Sequence, residues 1–187
     1  MLTPLIELLI ELTIFVYGLA FVAGIWLVTS SFINLGRIAD SQGSMINGEV
    51  TPAHLITKLV FGVLLATSNA ISIATVLSLG ATSNDIVDPM QILNYSEAVG
   101  GSSESLKLVV FIKTLSRFMG AIALTSGIKH GANFNHPNET ARKSARYRLI
   151  WGICSAAVLI FPDFALSTLQ GYHSSLKTIA DIFKQVP

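Results

Sequence analysis

The chain has 187 residues, of which 51% are hydrophobic and only 12% charged, about half the charged fraction of an ordinary soluble domain. A net charge of +1 excludes the global basic field of a nucleic-acid binder, and a single cysteine, Cys154, excludes an internal disulfide. A mean hydropathy of +0.62 points instead to an all-α integral membrane protein. The expectation is one membrane domain over 1–187, a bundle of about four transmembrane helices with short amphipathic interfacial helices.

No lysine or arginine precedes Arg37, so the amino-terminal stretch lacks the basic region of a secretory signal. Leu2 to Ile14 contains Pro4, Glu7 and Glu11 and reads as an interfacial lead-in. The two glutamates are four apart and share a helix face, which also suits an acidic partner-binding stripe. The first span-grade run is 12–35. A loop with Arg37 and Lys58 leads to the second run, 59–79. The next loop, 81–106, holds Asp85, Asp88, Glu97 and Glu104 and no basic residue before Lys107. Within it, Asp88-Pro89 is a helix start, and Met90, Leu93 and Val99 suit a short helix on the membrane surface. Gly100-Gly101-Ser102-Ser103 forms a flexible joint before the third run, 108–127.

The following loop reverses the charge. Lys129, Arg142, Lys143, Arg146 and Arg148 stand against Glu139 alone. Asn135-His136-Pro137-Asn138 reads as a turn, with Asn138 capping a helix that runs from Glu139 into the fourth run, 149–169. Cys154 lies within that run and is expected to pack as a small apolar residue. Beyond it, the tail 172–186 is amphipathic, with Tyr172, Leu176, Ile179, Ala180 and Phe183 at helical spacing. The positive-inside rule puts the Lys129–Arg148 loop in the cytoplasm, and four spans then leave both termini outside.

Three constellations stand out. Lys113 and Arg117 interrupt the third run, and an intramembrane charge requires a partner or a polar interior. At ~1.5 Å per residue, Lys113 lies roughly 9 Å inside its run, level with Asp163 in an antiparallel fourth run, while Arg117 is level with Asn69. A structural polar cluster, a charged contact between subunits and a hydrated ion pathway are all readings of this set. The second run carries Gly62, Ala66, Ala70, Ala74 and Ser78 at intervals of four, a groove for close helix packing in lipid. The basic loop residues Lys129, Arg142, Lys143, Arg146 and Arg148 suit anionic headgroups or a cytoplasmic protein. They lack the density and aromatic platform of a nucleic-acid groove.

No phosphate-binding loop, dinucleotide fingerprint or His-Glu-x-x-His pattern occurs. His54, His130, His136 and His173 read as scattered loop residues. No catalytic, cofactor or metal residues are expected, although a bound phospholipid is compatible with the surface.

The segment FIKTLSRFMGAIALTSGIKHGANFNHP, a basic stretch and then YRLIWGICSAAVLIFPDF resembles the small inner-membrane proteins of type IVB secretion and IncI-type conjugation systems. That group includes the IcmC/DotE and TraQ proteins. The shared style covers roughly 105–170: a span with a central Gly120, the exit Gly127-Ile128-Lys129-His130, a polar linker, and a hydrophobic run ending at Pro162. The resemblance implies a non-enzymatic subunit of the bacterial inner membrane, assembling with copies of itself or with other transfer-apparatus subunits. Two further readings are a pilin-like subunit that polymerises into a lipid-associated filament, and a small ion or proton conductor.

Overall fold

A computed structural model describes residues 2–40, 51–68, 70–71 and 104–169, and within these the side chains except those of residues 40, 104–106, 163, 164, 167 and 169. The regular structure in them is helical: α1 (Leu2–Asp40), α2 (Pro52–Ala66), α3 (Glu104–Gly131), α4 (Glu139–Ile160) and α5 (Pro162–Leu169). The expected surface helix after Pro89, the amphipathic tail, and Asn69, Ala74 and Ser78 lie outside the described residues. Two of the helices, α1 and α3, are long and apolar enough to cross a membrane.

The lead-in and the first apolar run form one uninterrupted helix of 39 residues. Pro4 falls in its first turn, where no intrahelical N–H is needed. Its buried positions Ile6, Ile10, Thr13, Tyr17, Ala20 and Gly24 alternate in steps of four and three, and Ser31 follows seven residues later, the seam of a helix packed lengthwise on others. Two hydroxyls on this seam are satisfied locally: Thr13 Oγ1 donates to the Leu9 carbonyl at 2.7 Å and Ser31 Oγ to that of Leu27 at 2.7 Å. The rest of the helix carries exposed leucine, phenylalanine, valine and isoleucine.

The second helix departs from expectation at its start, and the part of the expected run beyond Ile71 lies outside the described residues. It begins at Pro52, seven residues before the apolar run, because Thr51 caps it and Pro52 occupies the first helical position. The Thr51 hydroxyl accepts from the His54 backbone N–H at 3.3 Å. The helix gives way to a turn at Thr67, whose N–H and hydroxyl both donate to the Val63 carbonyl at 2.9 Å.

The fourth run is likewise not one helix. Pro162 has no N–H to continue α4 and restarts the chain as α5. Helix α3 runs on to Gly131, and α4 starts at Glu139 with Asn138 Oδ1 accepting from the Thr140 and Ala141 N–H groups at 2.9 and 3.3 Å.

The chain forms two compact units. One comprises 1–16, 72–122 and 155–187, the other 17–71 and 123–154. In the second unit, α1 touches α2 at a glycine contact. A Cβ on Gly24 would lie 2.6 Å from the Gly62 carbonyl oxygen and the Ala66 nitrogen, and one on Gly62 would lie 2.9 Å from Val28 Cγ2. In the same unit α3 and α4 meet backbone to backbone, where a Cβ on Gly152 would lie 2.6 Å from Gly127 Cα. In the first unit Ser116 Oγ donates to the Leu159 carbonyl at 2.8 Å. That carbonyl is among the last four of α4, which the break at Pro162 deprives of ordinary helical partners.

Candidate functional site

Two polar sites emerge, one in each unit. In the first unit, Lys113 and Arg117 are 2% and 5% exposed on α3, and neither lacks an interaction partner. Thr114 beside them is buried, its hydroxyl donating to the Val110 carbonyl at 2.8 Å. The expected partner Asp163 sits in the first turn of α5, but its side chain is outside the described set, as is Asn69. The α3 cations therefore belong to the helix's buried arc, between Val110 and Gly120.

In the second unit, the start of α2, the end of α3, the 132–138 turn and the start of α4 converge. Asn135 Nδ2 donates to Thr57 Oγ1 at 2.8 Å, and Thr57 in turn donates to the Ala53 carbonyl at 2.8 Å. One turn earlier, the His54 ring meets the His136 ring edge-on, with centroids 5.1 Å apart at 80°. Phe61, two turns along α2 from His54, closes over Gly131, leaving no room for a side chain there. These contacts clamp α2 to the α3–α4 connection.

His54 corrects the view of the histidines as scattered loop residues. It lies in the first turn of α2 and is 2% exposed. Its Nδ1 is buried with no hydrogen-bond partner among the described residues. Burial, reinforced by the nearby positive charge of Lys58 and by His136, pushes its pKa down to about 4, so it is neutral at physiological pH. His136 is oriented through Nδ1, which accepts the Asn138 N–H at 3.1 Å. His130 lies at the end of α3, 3.2 Å from Arg148 Nη1 through Nε2; because guanidinium only donates, that ring nitrogen is the acceptor. The sequence signal for this clamp was Thr51-Pro52, which starts α2 early enough to bring His54 into a helix.

The basic loop residues are not equivalent. Arg148 is tied to His130, and Arg146 lies 4.5 Å over the Phe134 ring, a cation–π arrangement. Lys143 pairs with Glu139 at 2.8 Å, both largely exposed, an arrangement of small energetic weight. Lys129 is exposed and Arg142 half-buried. The start of α2, the end of α3 and the start of α4 carry six cations, Lys58, Lys129, Arg142, Lys143, Arg146 and Arg148, against one carboxylate, Glu139. Among the described residues no group of three metal-ligating side chains is assembled.

Of the small-residue stripe, Gly62 and Ala66 touch α1 at Gly24, whereas Ala70 is exposed. Cys154, expected to be packed, is exposed, because it falls on the outward arc of α4 with Ile150 and Val158. No family model, curated protein or solved structure matches this chain.

Proposed function

We propose that this chain is a non-enzymatic, multi-pass subunit of a bacterial inner membrane that assembles with further subunits of a DNA- or effector-transfer apparatus. The observation that carries the membrane part is the outer surface of α1. Phe15, Leu19, Phe21, Val22, Ile25, Trp26, Phe32 and Ile33 are each about half exposed or more, far beyond what a water-facing helix tolerates as a contiguous surface. The transfer apparatus rests on the sequence resemblance over 105–170. Packing through backbone contacts at Gly24–Gly62 and Gly127–Gly152 supports a structural role, since such contacts hold helices together where lipid removes the ordinary hydrophobic drive.

In this reading the basic end faces the cytoplasm and both termini face outward. Single cysteines at Ser102 and Ser144, in a Cys154→Ser background, are expected to label from opposite sides of the membrane; labelling from one side only overturns the topology. Deleting the gene is expected to abolish transfer while growth continues, and normal transfer by the deletion strain removes the apparatus reading.

The filament reading is favoured by one feature. At ~1.5 Å per residue, the 39 residues of α1 extend roughly 58 Å, well past the ~30 Å hydrocarbon core. Neighbouring copies in a tube would cover the excess. Recovery of the chain in sheared extracellular filaments selects that reading; confinement to the inner membrane selects the scaffold.

A further inference from the structure

We propose that the outward stripe of α4 is a binding surface for anionic phospholipid headgroups in the leaflet it crosses, an inference that rests on the membrane reading above. At 100° per residue, Lys143, Arg146, Tyr147, Ile150, Trp151 and Val158 fall within one arc of about 140°, and every one of them is exposed. Ala145 and Ala156, on the opposite side, are buried. Along the stripe the cations Lys143 and Arg146 come first, the rings of Tyr147 and Trp151 follow with Ile150 between them, and Val158 comes last.

That order matches the layers of one membrane leaflet. Lysine and arginine belong at the headgroup phosphates, tyrosine and tryptophan at the interface, and valine among the acyl chains. The Tyr147 and Trp151 rings lie 5.9 Å apart, tilted at 56°, and stay exposed, so they do not serve as core for the described residues. Trp151 is eight residues from Lys143, roughly 12 Å along the axis. A headgroup phosphate held by Lys143 and Arg146 would therefore set its acyl chains against Trp151 and Val158.

Positive charge from the flanking elements reinforces the site. Arg142 and Arg148 border the stripe, Lys129 lies in the last turn of α3, and Glu139 is the one carboxylate of α4. Its pairing with Lys143 is solvent-exposed and readily exchanged for a phosphate. Arg146 is pre-positioned by the Phe134 ring at 4.5 Å. The occupant is therefore a glycerophospholipid with net negative charge, such as phosphatidylglycerol.

The test uses the fluorescence of Trp151 in the full chain. The protein has two tryptophans, and Trp26, 73% exposed on α1, is replaced by phenylalanine to leave Trp151 as the sole reporter. The protein is reconstituted in phosphatidylcholine vesicles containing a fixed fraction of either brominated phosphatidylglycerol or brominated phosphatidylcholine. Quenching is expected to favour the brominated phosphatidylglycerol by about twofold to fivefold in apparent association. The preference is expected to fall towards unity in Lys143→Gln/Arg146→Gln and, independently of any folding effect of those changes, at high salt. Equal quenching by the two lipids overturns the site while leaving the membrane reading intact. Absence of quenching by either lipid overturns both and assigns the stripe to a protein partner. A preference that survives both the double substitution and high salt places the anionic lipid elsewhere.

Discussion

His54 shows how one residue couples the clamp to pH. Its folded pKa of about 4 lies below the ordinary histidine value of 6.5, so the unfolded chain binds a proton more readily than the folded one. Its contribution to stability is complete above pH 6.5 and is lost as the pH falls towards 4. The expected slope is up to about 1.4 kcal/mol per pH unit within that window. Thermal denaturation in detergent between pH 4 and 7 measures it, and His54→Leu should remove most of that slope. An unchanged slope in the variant assigns the acid sensitivity to other groups. The buried cations obey a related rule. If Lys113 meets Asp163, Lys113→Leu and Asp163→Leu should each lower folded yield, because breaking a buried pair strands the other charge. The double variant should recover part of the loss. Strictly additive losses separate the two residues. Burial of Lys113 and Arg117 followed from their presence in an apolar run, but His54 was hidden because a lone histidine in a nominal loop carries no periodic signal.

At the scale of helices, the contacts that hold the second unit together are made by what the side chains lack. Gly24 meets Gly62 and Ala66, and Gly127 meets Gly152, with added Cβ atoms at Gly24 and Gly152 falling 2.6 Å from backbone. Backbone cannot retreat from a Cβ as a flexible side chain can. Gly24→Val and Gly152→Val are therefore expected to destabilise by about 3 kcal/mol or more, at or beyond the upper end of ordinary overpacking. Gly18 is the matched control, because nothing lies within 4 Å of its added Cβ; Gly18→Ala should be neutral or stabilise by up to about 1 kcal/mol through helix propensity. Thermal shift of the purified variants measures both, and equal tolerance at Gly24 and Gly18 refutes the close approach. The four-residue interval of Gly62 and Ala66 marked the α2 side of this contact in advance. Gly24 on α1 went unmarked because apolar residues surround it on every face. The same uniformity obscured the whole α1 seam: Ile6, Ile10 and Tyr17 are buried, yet Leu5, Leu8 and Phe15 beside them are as apolar and exposed. Hydrophobic contrast locates a core only where the other face is polar. The break at Pro162 was legible from proline chemistry but was overridden by the length of the apolar run.

For the whole molecule, the decisive question is what medium covers α1, and the helix supplies its own ruler. Glu7 and Glu11 are exposed near its beginning, and the next charged residue is Arg37. The uncharged stretch between Glu11 and Arg37 is 25 residues, roughly 37 Å at ~1.5 Å per residue, enough to cross a ~30 Å core with some tilt. Val22 and Leu8 are both exposed on α1, at 63% and 52%. One lies near the middle of that stretch and the other between the two glutamates. In water, a carboxylate at either position would cost the same. In a bilayer, a carboxylate at Val22 meets acyl chains and costs about 2.5–3.5 kcal/mol on an insertion scale, whereas one at Leu8 remains at the interface. Val22→Glu is accordingly expected to lower the carbonate-resistant membrane fraction by tenfold or more, while Leu8→Glu leaves it nearly unchanged. Equal retention of the two variants would show that protein rather than lipid covers the middle of α1, which is the environment a packed filament provides.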